Sequence, residues 1–295
     1  MQLGLVGLGR MGGNMAARLR AAGHEVVGFD RNPAVSDVAG LPELAAALAP
    51  PRVVWVMVPV EVTDASIDDL ATTMSAGDLI IDGGNSSFAQ DRPRAQRLGA
   101  RGIGYLDVGV SGGVWGRETG YGLMVGGDAE HVQRVMPILT ALKPAGEFGL
   151  VHAGPVGAGH YAKMVHNGIE YGLMHAYAEG FELLEASEYV TDVPGVIKSW
   201  REGTVIRSWL LDLLDRALEE DPTLASLLGY VEDTGEGRWT VDEAIRLAVP
   251  LHVISAALFA RFSSRQEDSP AMKAVAALRH QFGGHPVKNA VGQGG

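Results

Sequence analysis

The chain has 295 residues, of which 46% are hydrophobic and 20% charged, which is enough for two globular domains with separate cores. Its net charge of -11 disfavours nonspecific nucleic-acid binding, and the lack of cysteine excludes disulfides, thiol catalysis and thiolate metal ligands. We find no apolar run of membrane-spanning length and no secretion signal, and therefore expect a cytoplasmic protein that binds neither nucleic acid nor membrane.

The first motif is a glycine turn between two short apolar runs. Gln2–Val6 predicts a strand, 14–22 has helical composition, and Glu25–Phe29 predicts a second strand that ends at Asp30. Between the first strand and the helix stands a G-x-G-x-x-G pattern, Gly7-Leu8-Gly9-Arg10-Met11-Gly12. A strand, a glycine turn, a helix, a strand and an acid within about thirty residues indicate a dinucleotide site.

Each glycine of this pattern has an expected task. We predict a tight turn at Gly7, close approach of the backbone to a pyrophosphate at Gly9, and close helix-to-strand packing at Gly12. The residues predicted to bind cofactor are Gly7, Leu8, Gly9, Arg10, Met11, Gly12, Asp30, Arg31, Val58 and Asn85.

The choice of dinucleotide depends on two adjacent residues. Asp30 would accept hydrogen bonds from a ribose hydroxyl and repel a 2'-phosphate, so it favours NAD. Arg31 could pair with that phosphate, or it could be an exposed loop residue. The sequence thus predicts NAD and leaves use of NADP open.

Two further buried strands are predicted at 52–59 and 78–82. Val58 and Asn85 follow them and should lie at the same sheet edge as the glycine turn, where ligands bind in open sheets of this type. Asn85 can hydrogen bond to cofactor or substrate, although asparagine is also common in ordinary turns.

Another predicted strand, 105–110, leads into Ser111, Gly112 and Gly113. Exposed backbone amides and a hydroxyl at these positions could cradle a carboxylate. The same residue types also occur in simple serine-glycine loops.

Five polar residues share one face of a predicted helix, because they lie three, four, seven or eight positions apart: Lys163, His166, Asn167, Glu170 and Tyr171. Such a stripe could be an ordinary solvated face. The sequence before it is rich in glycine, and the sequence after it is small and apolar, which indicates a helix packed on most sides. We therefore expect the stripe to face a cavity.

The remainder of the chain has helical patterns only. The predicted helices are 193–199, 205–218, 224–228, 241–246 and 250–262, and the tail 286–295 is predicted to be frayed.

These motifs together resemble the 6-phosphogluconate dehydrogenases, in their shorter bacterial form. The resemblance is carried by the glycine turn with Gly13 and Asn14, and by the motifs at 81–86, 109–113, 122–124 and 163–171. It implies an α/β Rossmann-type amino-terminal domain over 1–155. It also implies an all-α carboxy-terminal domain over 156–295 for substrate binding and oligomerisation.

The resemblance implies oxidative decarboxylation of 6-phosphogluconate to ribulose 5-phosphate and CO2. Lys163 would be the base that takes the proton of the C3 hydroxyl, and Glu170 the acid that protonates C1 of the enediol. Asn167 would help Lys163 to polarise the intermediate carbonyl, so we expect no metal.

The same resemblance predicts the substrate contacts. Ser111, Gly112 and Gly113 would hold the carboxylate, while His166, Asn167 and Asn85 would hold hydroxyls. The phosphate contacts would be Tyr171 and Arg261, with Arg279 and His285 donated by a partner subunit in a homodimer or homotetramer. Arg279 could equally be a surface charge.

The sequence departs from the family at the phosphate end. Where longer relatives have Lys-Gly-Thr-Gly-Lys-Trp-Thr, this chain has Thr234-Gly235-Glu236-Gly237-Arg238-Trp239-Thr240, so one phosphate-binding lysine and one threonine are missing. Arg238 could substitute for the lysine, whereas Glu236 could repel a phosphate. Two alternatives follow. One is a hydroxyisobutyrate-type dehydrogenase acting on an unphosphorylated acid. The other is a noncatalytic dinucleotide sensor, which would have no chemical use for both Lys163 and Glu170.

Overall fold

A computed structural model of the chain describes residues 1–288. It contains two compact units, Met1–Gly168 and Ile169–Gly295. The first unit is built on one sheet of seven strands in the order β2-β1-β3-β4-β5-β6-β7. The strands are β1 (Gln2–Val6), β2 (Glu25–Phe29), β3 (Val53–Val56), β4 (Leu79–Asp82), β5 (Gly104–Ser111), β6 (Gly122–Gly127) and β7 (Leu150–Gly154).

The first five strands are parallel, β6 runs antiparallel to β5, and β7 is parallel to β6. The helices of this unit are α1 (Arg10–Ala21), α2 (Leu41–Ala46), α3 (Val60–Thr73), α4 (Asp91–Gly99), α5 (Gly116–Thr119), α6 (Ala129–Leu142) and the first part of α7 (Ala158–Glu185). The Rossmann-type domain predicted from the glycine turn is thus confirmed.

Alternate residues of the central strands pack into two separate cores. Leu3, Leu5 and Trp55 belong to one core, whereas Val54 and Ile80 belong to the other. Because both faces of the sheet are buried, these strands are continuous apolar runs and show no alternation with polar residues.

Helices are the only regular secondary structure among the described residues of the second unit. It contains the rest of α7 with α8 (Val193–Ser199), α9 (Trp209–Glu220), α10 (Glu236–Leu247), α11 (His252–Ser263) and α12 (Pro270–Gly283). This confirms the all-α carboxy-terminal domain. No helix within residues 1–288 is long and apolar enough to cross a membrane.

Some predicted boundaries in this half are wrong. Residues 224–228 form turns and not a helix, and Leu224 has a φ of 52°, which a helix does not accommodate. The helix predicted from 205 begins at Trp209 because the Ser208 side chain caps it by accepting from Leu211 N. The helix expected to begin at Pro250 begins at His252. Of the predicted frayed tail, 289–295 lie outside the described residues.

The division between the units falls inside α7, after Gly168, whereas the sequence placed a domain boundary at residue 155. The first turns of α7 belong to the Rossmann-type unit because their backbone lies directly on the sheet. A Cβ at Gly159 would come within 2.5 Å of the carbonyl oxygens of Asp107 and Met124.

Candidate active site

The glycine turn after β1 is held by close backbone packing. Gly7 has a φ of 91° and donates from N to Phe29 O at 2.8 Å. A Cβ at Gly7 would lie 2.4 Å from Met57 O, and one at Gly12 only 1.9 Å from Gly7 O. In contrast, a Cβ at Gly9 would meet no atom of residues 1–288 within 4 Å. Gly7 and Gly12 are therefore fixed by the fold, while Gly9 leaves space for a ligand at the start of α1.

A cavity of about 580 Å³ lies beside this turn, within the first unit. It is found where β1, β3, β4 and β5 end, which is the ligand-binding edge of such sheets. Its lining residues are Gly9, Arg10, Met11, Gly12, Met57, Val58, Pro59, Gly83, Gly84, Asn85, Val110, Gly113, Val114 and Lys163. The structure thus brings the glycine turn, Val58, Asn85 and the proposed base to one place.

Some of these lining residues were not predicted as site residues, among them Met57, Val110 and Val114. Met57 follows β3 directly and Val110 lies near the end of β5. The position of the strand ends was the available signal, because residues just after parallel strands line this edge. Their apolar side chains gave no chemical signal of their own.

The Asp30 side chain is hydrogen-bonded to the backbone of the glycine turn. Its Oδ2 accepts a hydrogen bond from Leu8 N at 2.7 Å, and its Oδ1 accepts one from Asn32 N at 2.8 Å. The neighbouring Arg31 is exposed. The carboxylate therefore anchors the turn, and each of its oxygens has a further lone pair for a ribose hydroxyl.

Lys163 reaches the cavity from α7. It is half-buried, and its Nζ donates a hydrogen bond to Asn167 Oδ1, one helical turn further along. Asn167 is buried, and its Oδ1 also lies 3.1 Å from His166 Nδ1. The predicted stripe is thus a connected polar network over its first turn, from Lys163 to Asn167.

The serine-glycine segment lies at the end of β5 and reaches the same network. Ser111 Oγ is 3.4 Å from His166 Nε2. Gly112 has a φ of 139° and Gly113 a φ of 54°, values that favour glycine. This backbone turns sharply after the strand, as an amide cradle for a carboxylate requires.

A buried cluster of charged side chains lies in the same unit: Asp82, Asp91, Arg94 and His160, joined by Tyr105. His160 Nδ1 is 2.9 Å from Asp91 Oδ2, and Arg94 donates to Asp82 Oδ2 at 3.0 Å. Burial lowers the pKa of His160, but the carboxylate of Asp91, with those of Asp82 and Asp107, outweighs this and raises it to about 9. Burial also raises the pKa of Asp91.

Asp82, Asp91 and His160 have atoms close enough to share a metal ion. The guanidinium of Arg94 already supplies positive charge there, at 3.0 Å from Asp82 and 3.6 Å from Asp91. We therefore interpret this cluster as an ion-pair network and not as a metal site.

The other predicted substrate residues lie on the second unit, or on α7 where it continues into that unit. Glu170 and Tyr171 are on α7, two turns beyond Lys163. Tyr171 is buried, and the Arg261 guanidinium lies 3.5 Å from the centre of its ring. Arg261 also donates to Glu232 O at 2.9 Å. Tyr171 and Arg261 thus place a phenol and a guanidinium side by side within the helical unit.

The departures from the family pattern lie close to this pair. Thr234 Oγ1 donates to Glu236 Oε2 at 2.6 Å, and Thr234 N lies 3.5 Å from the Tyr171 hydroxyl. Glu236 is buried. Arg238 is held by Asp233 at 2.6 Å and does not take the place of the missing lysine as a free cation.

Arg279 and His285 lie at the carboxy-terminal end of the described chain. Arg279 is in α12, whose residues are all exposed, and His285 is exposed just after this helix. The structure contains one copy of the chain, so their predicted role in a partner's site stays a prediction.

Comparisons with known proteins agree with this geometry. Residues 2–147 match the NAD binding domain of 6-phosphogluconate dehydrogenase, and residues 159–288 match the C-terminal domain of 6-phosphogluconate dehydrogenase. The NAD(+)-dependent, decarboxylating 6-phosphogluconate dehydrogenase of Haloferax volcanii is 42% identical to the chain. That match covers 97% of this chain and 98% of the relative.

Two solved structures extend the comparison. Plasmodium falciparum 6-phosphogluconate dehydrogenase, solved with its cofactor NADP+ and with its substrate, has a TM-score of 0.81 and 26% identity. It is matched over 100% of this chain and 67% of that chain. Mycobacterium tuberculosis 3-hydroxyisobutyrate dehydrogenase has a TM-score of 0.70 and 26% identity, over 94% of this chain and 99% of that chain.

Proposed function

The chain belongs to the 6-phosphogluconate dehydrogenase family, and we propose that it oxidatively decarboxylates 6-phospho-D-gluconate to D-ribulose 5-phosphate and CO2. It is an NAD(P)-dependent dehydrogenase of this type. The observation that carries the proposal is Lys163, which lines the same cavity as the glycine turn and Asn85 and is linked to Asn167.

The residues present suit a dinucleotide. The space beside Gly9 and the N-terminus of α1 fit a pyrophosphate, and Asp30 fits a ribose hydroxyl. When bound, the nicotinamide accepts the hydride that leaves C3 of the substrate. The residues of this chain then have to remove the proton of the C3 hydroxyl, supply a proton to C1 of the product and hold the substrate carboxylate.

In the proposed first step, Lys163 in its neutral form takes the proton of the C3 hydroxyl as the hydride leaves C3. The resulting ketone is β to the carboxylate. The C1–C2 bond then breaks, CO2 leaves, and the electron pair of that bond forms a C2–C3 double bond while negative charge develops on the C3 oxygen. Lys163, now an ammonium, and Asn167 stabilise this oxygen, and Lys163 returns its proton to it to give the enediol.

The second proton is assigned to Glu170. It lies seven residues after Lys163 on α7, so both side chains belong to the same helical stripe. In the proposal its carboxyl group gives a proton to C1 of the enediol while Lys163 takes the proton of the hydroxyl that becomes the ketone, which completes ribulose 5-phosphate. The family resemblance supports this assignment, because the His-Asn-x-x-Glu-Tyr sequence is intact.

Substrate binding is proposed at both ends of the sugar. Ser111, Gly112 and Gly113 hold the carboxylate, and the hydroxyls bind Asn85, His166 and Asn167. At the phosphate end, Tyr171 and Arg261 already form a pair, and guanidinium geometry suits phosphate oxygens. Arg279 and His285 would complete that end from a partner subunit in a homodimer or homotetramer.

One observation favours a second candidate, a dehydrogenase of the hydroxyisobutyrate type. Glu236 is buried beside Thr234, where longer family members have a threonine and a lysine, and a carboxylate repels phosphate. The likeness to the 3-hydroxyisobutyrate dehydrogenase structure agrees with this candidate. An unphosphorylated acid would use Lys163 but would leave Arg261, Arg279 and His285 without a common ligand.

One assay panel separates the candidates. Reduction of NAD and NADP is followed with 6-phosphogluconate, gluconate and 3-hydroxyisobutyrate, together with release of CO2. The proposal expects reduction with 6-phosphogluconate and one CO2 per reduced cofactor. Turnover of gluconate or hydroxyisobutyrate but not of 6-phosphogluconate would favour the second candidate, and no turnover with any acid would contradict both.

A further inference from the structure

We propose that Asp107 is a positioning residue: it holds the first turn of α7 on the sheet and thereby sets where Lys163 enters the cavity. The inference rests on the proposed role of Lys163 as base. Asp107 is a buried carboxylate to which the proposed reaction assigns no contact with cofactor or substrate.

The first observation is the contact between Asp107 and the start of α7. Asp107 lies in the middle of β5 and is fully buried. Its Oδ1 accepts from Gly157 N at 2.7 Å, and its Oδ2 accepts from His160 N at 3.0 Å. The first amides of a helix need an acceptor, which is normally the N-cap side chain, and Gly157 has no side chain. The carboxylate of a neighbouring strand replaces that cap.

The second observation is that the same turn of α7 is also held by a side-chain contact to α4. The His160 side chain pairs with Asp91, at 3.0 and 2.9 Å from its two carboxylate oxygens. Asp91 in turn accepts from the Tyr105 hydroxyl at 2.8 Å. His160 therefore connects α7 to α4 by its side chain and to β5 by its backbone amide.

The third observation relates this anchor to the base. A Cβ on Gly109, two residues beyond Asp107 on β5, would lie 2.4 Å from Lys163 Cβ. Gly159, one turn before Lys163, lies equally close to the strand backbone. Strand β5, which supplies the cap of α7, is thus also the strand against which Lys163 packs. Because glycines make these contacts, no side chain separates β5 from α7 there, and a shift of the helix moves Lys163 directly. A displacement of about 1 Å in an active site can lower the rate roughly 100-fold.

A matched control exists within the same unit. Asp78 is also buried and accepts from two backbone amides, Arg52 N at 2.6 Å and Ser75 N at 2.9 Å. It precedes β4, and neither of its backbone partners belongs to α7 or β5. Asp78→Asn therefore removes a comparable buried acceptor without disturbing the helix that carries Lys163.

The test compares Asp107→Asn with Asp78→Asn in the full-length protein. In Asp107→Asn an amide NH2 replaces one acceptor, so one of the two α7 amides loses its partner. We expect kcat to fall 10-fold to 100-fold while the Kd for NAD and the KM for substrate change less than about threefold. Asp78→Asn should lower Tm at least as much and keep kcat within about threefold. Equal loss of kcat in both variants, or unchanged kcat in Asp107→Asn, would overturn the proposal.

A second readout does not require turnover. The rate at which an amine-acylating reagent modifies Lys163, measured by peptide mass spectrometry, reports the surroundings of its amine. We expect this rate to change at least threefold in Asp107→Asn and to stay constant in Asp78→Asn. If the wild-type protein fails to oxidise 6-phosphogluconate, the proposed function is wrong. The Lys163 labelling rates of Asp107→Asn and Asp78→Asn still test the positioning role in that case.

If Asp107→Asn does not fold, Asp107→Glu takes its place. This change keeps a buried carboxylate but moves it by one methylene, so it no longer meets the Gly157 and His160 amides in the same geometry. We expect the same direction of change in kcat and in Lys163 labelling, by at least threefold. A folded Asp107→Glu protein with both values unchanged would overturn the proposal.

Discussion

Gly109 lies directly under Lys163, so close that a Cβ on Gly109 would be 2.4 Å from Lys163 Cβ and 2.8 Å from Gly159 O. The absence of a side chain at this residue of β5 therefore permits Lys163, the proposed base, to reach the cavity. The same contact makes the site sensitive to the smallest possible substitution at that position.

Gly109→Ala should lower both activity and stability. The added methyl has to displace α7 or the lysine stem, and overpacking of this kind costs about 1–3 kcal/mol. We expect kcat to fall at least 10-fold. Gly99→Ala is the matched control, since a Cβ there meets no atom of residues 1–288 within 4 Å. Steady-state kinetics and thermal melts of both variants test this, and a Gly109→Ala enzyme with normal kcat would refute it.

Lys163→Met should abolish oxidation while the protein still binds NAD. The substitution removes the amine but keeps a chain of similar length, and loss of a general base typically costs about 100-fold to 10,000-fold in rate. Turnover and NAD titration measure the two effects separately. Lys198→Met, at an exposed lysine paired with Glu219, should leave turnover unchanged. Normal turnover of Lys163→Met would remove this residue as the base.

Glu170→Gln should slow protonation of the enediol more than it slows hydride transfer. An amide has a similar shape but no transferable proton. The readout is deuterium incorporation at C1 of ribulose 5-phosphate in D2O, compared with the initial rate of NAD reduction. Glu179→Gln, at an exposed glutamate later on α7, serves as the control. A normal yield of labelled product from Glu170→Gln would contradict the assignment.

The enzyme should prefer NAD to NADP by at least 10-fold in kcat/KM. The Asp30 carboxylate repels a 2'-phosphate, and the exposed Arg31 does not displace it from Leu8 N. Initial-rate kinetics with both cofactors measure the ratio. Arg31→Ala should reduce NADP use further and leave NAD use nearly constant. A strong preference for NADP would show that Arg31 dominates the recognition.

The stability of the first unit should decrease at alkaline pH. The folded pKa of His160, about 9, lies above its unfolded value of 6.5. The pair with Asp91 is thus fully stabilising below pH 6.5, and its contribution is lost as pH rises through 9. The loss amounts to a few kcal/mol at most, since one pKa unit corresponds to about 1.4 kcal/mol. Urea unfolding between pH 6 and 10 tests this, and His160→Gln should flatten the dependence. An equally steep decrease in that variant would assign it to other groups.

The sequence predicted the parts of the structure that depend on local pattern. The glycine turn, the first five strands and the stripe on α7 are visible because their signals lie within short segments. The antiparallel β6 was not predicted. Its sequence, GLMVGG, contains three glycines in six residues, and its place is determined by pairing with β5.

The buried residues that hold the start of α7 in place could not be predicted from the sequence. Asp82, Asp91, Asp107 and His160 come from four separate elements or their ends, and no spacing along the chain relates them. Each is an ordinary polar residue in the sequence, and only the topology of the sheet brings them together. Local pattern could therefore identify Lys163 but not what holds it in place.

The attachment of Asp30 to Leu8 N and Asn32 N has a practical consequence for protein engineering. A designer who wishes to convert this enzyme to NADP would ordinarily replace this acid first. Here that exchange would also release the glycine turn that we propose receives the pyrophosphate. Redesign should instead begin with the residues around Asp30, or should combine its substitution with a new hydrogen-bond acceptor for the Leu8 and Asn32 amides.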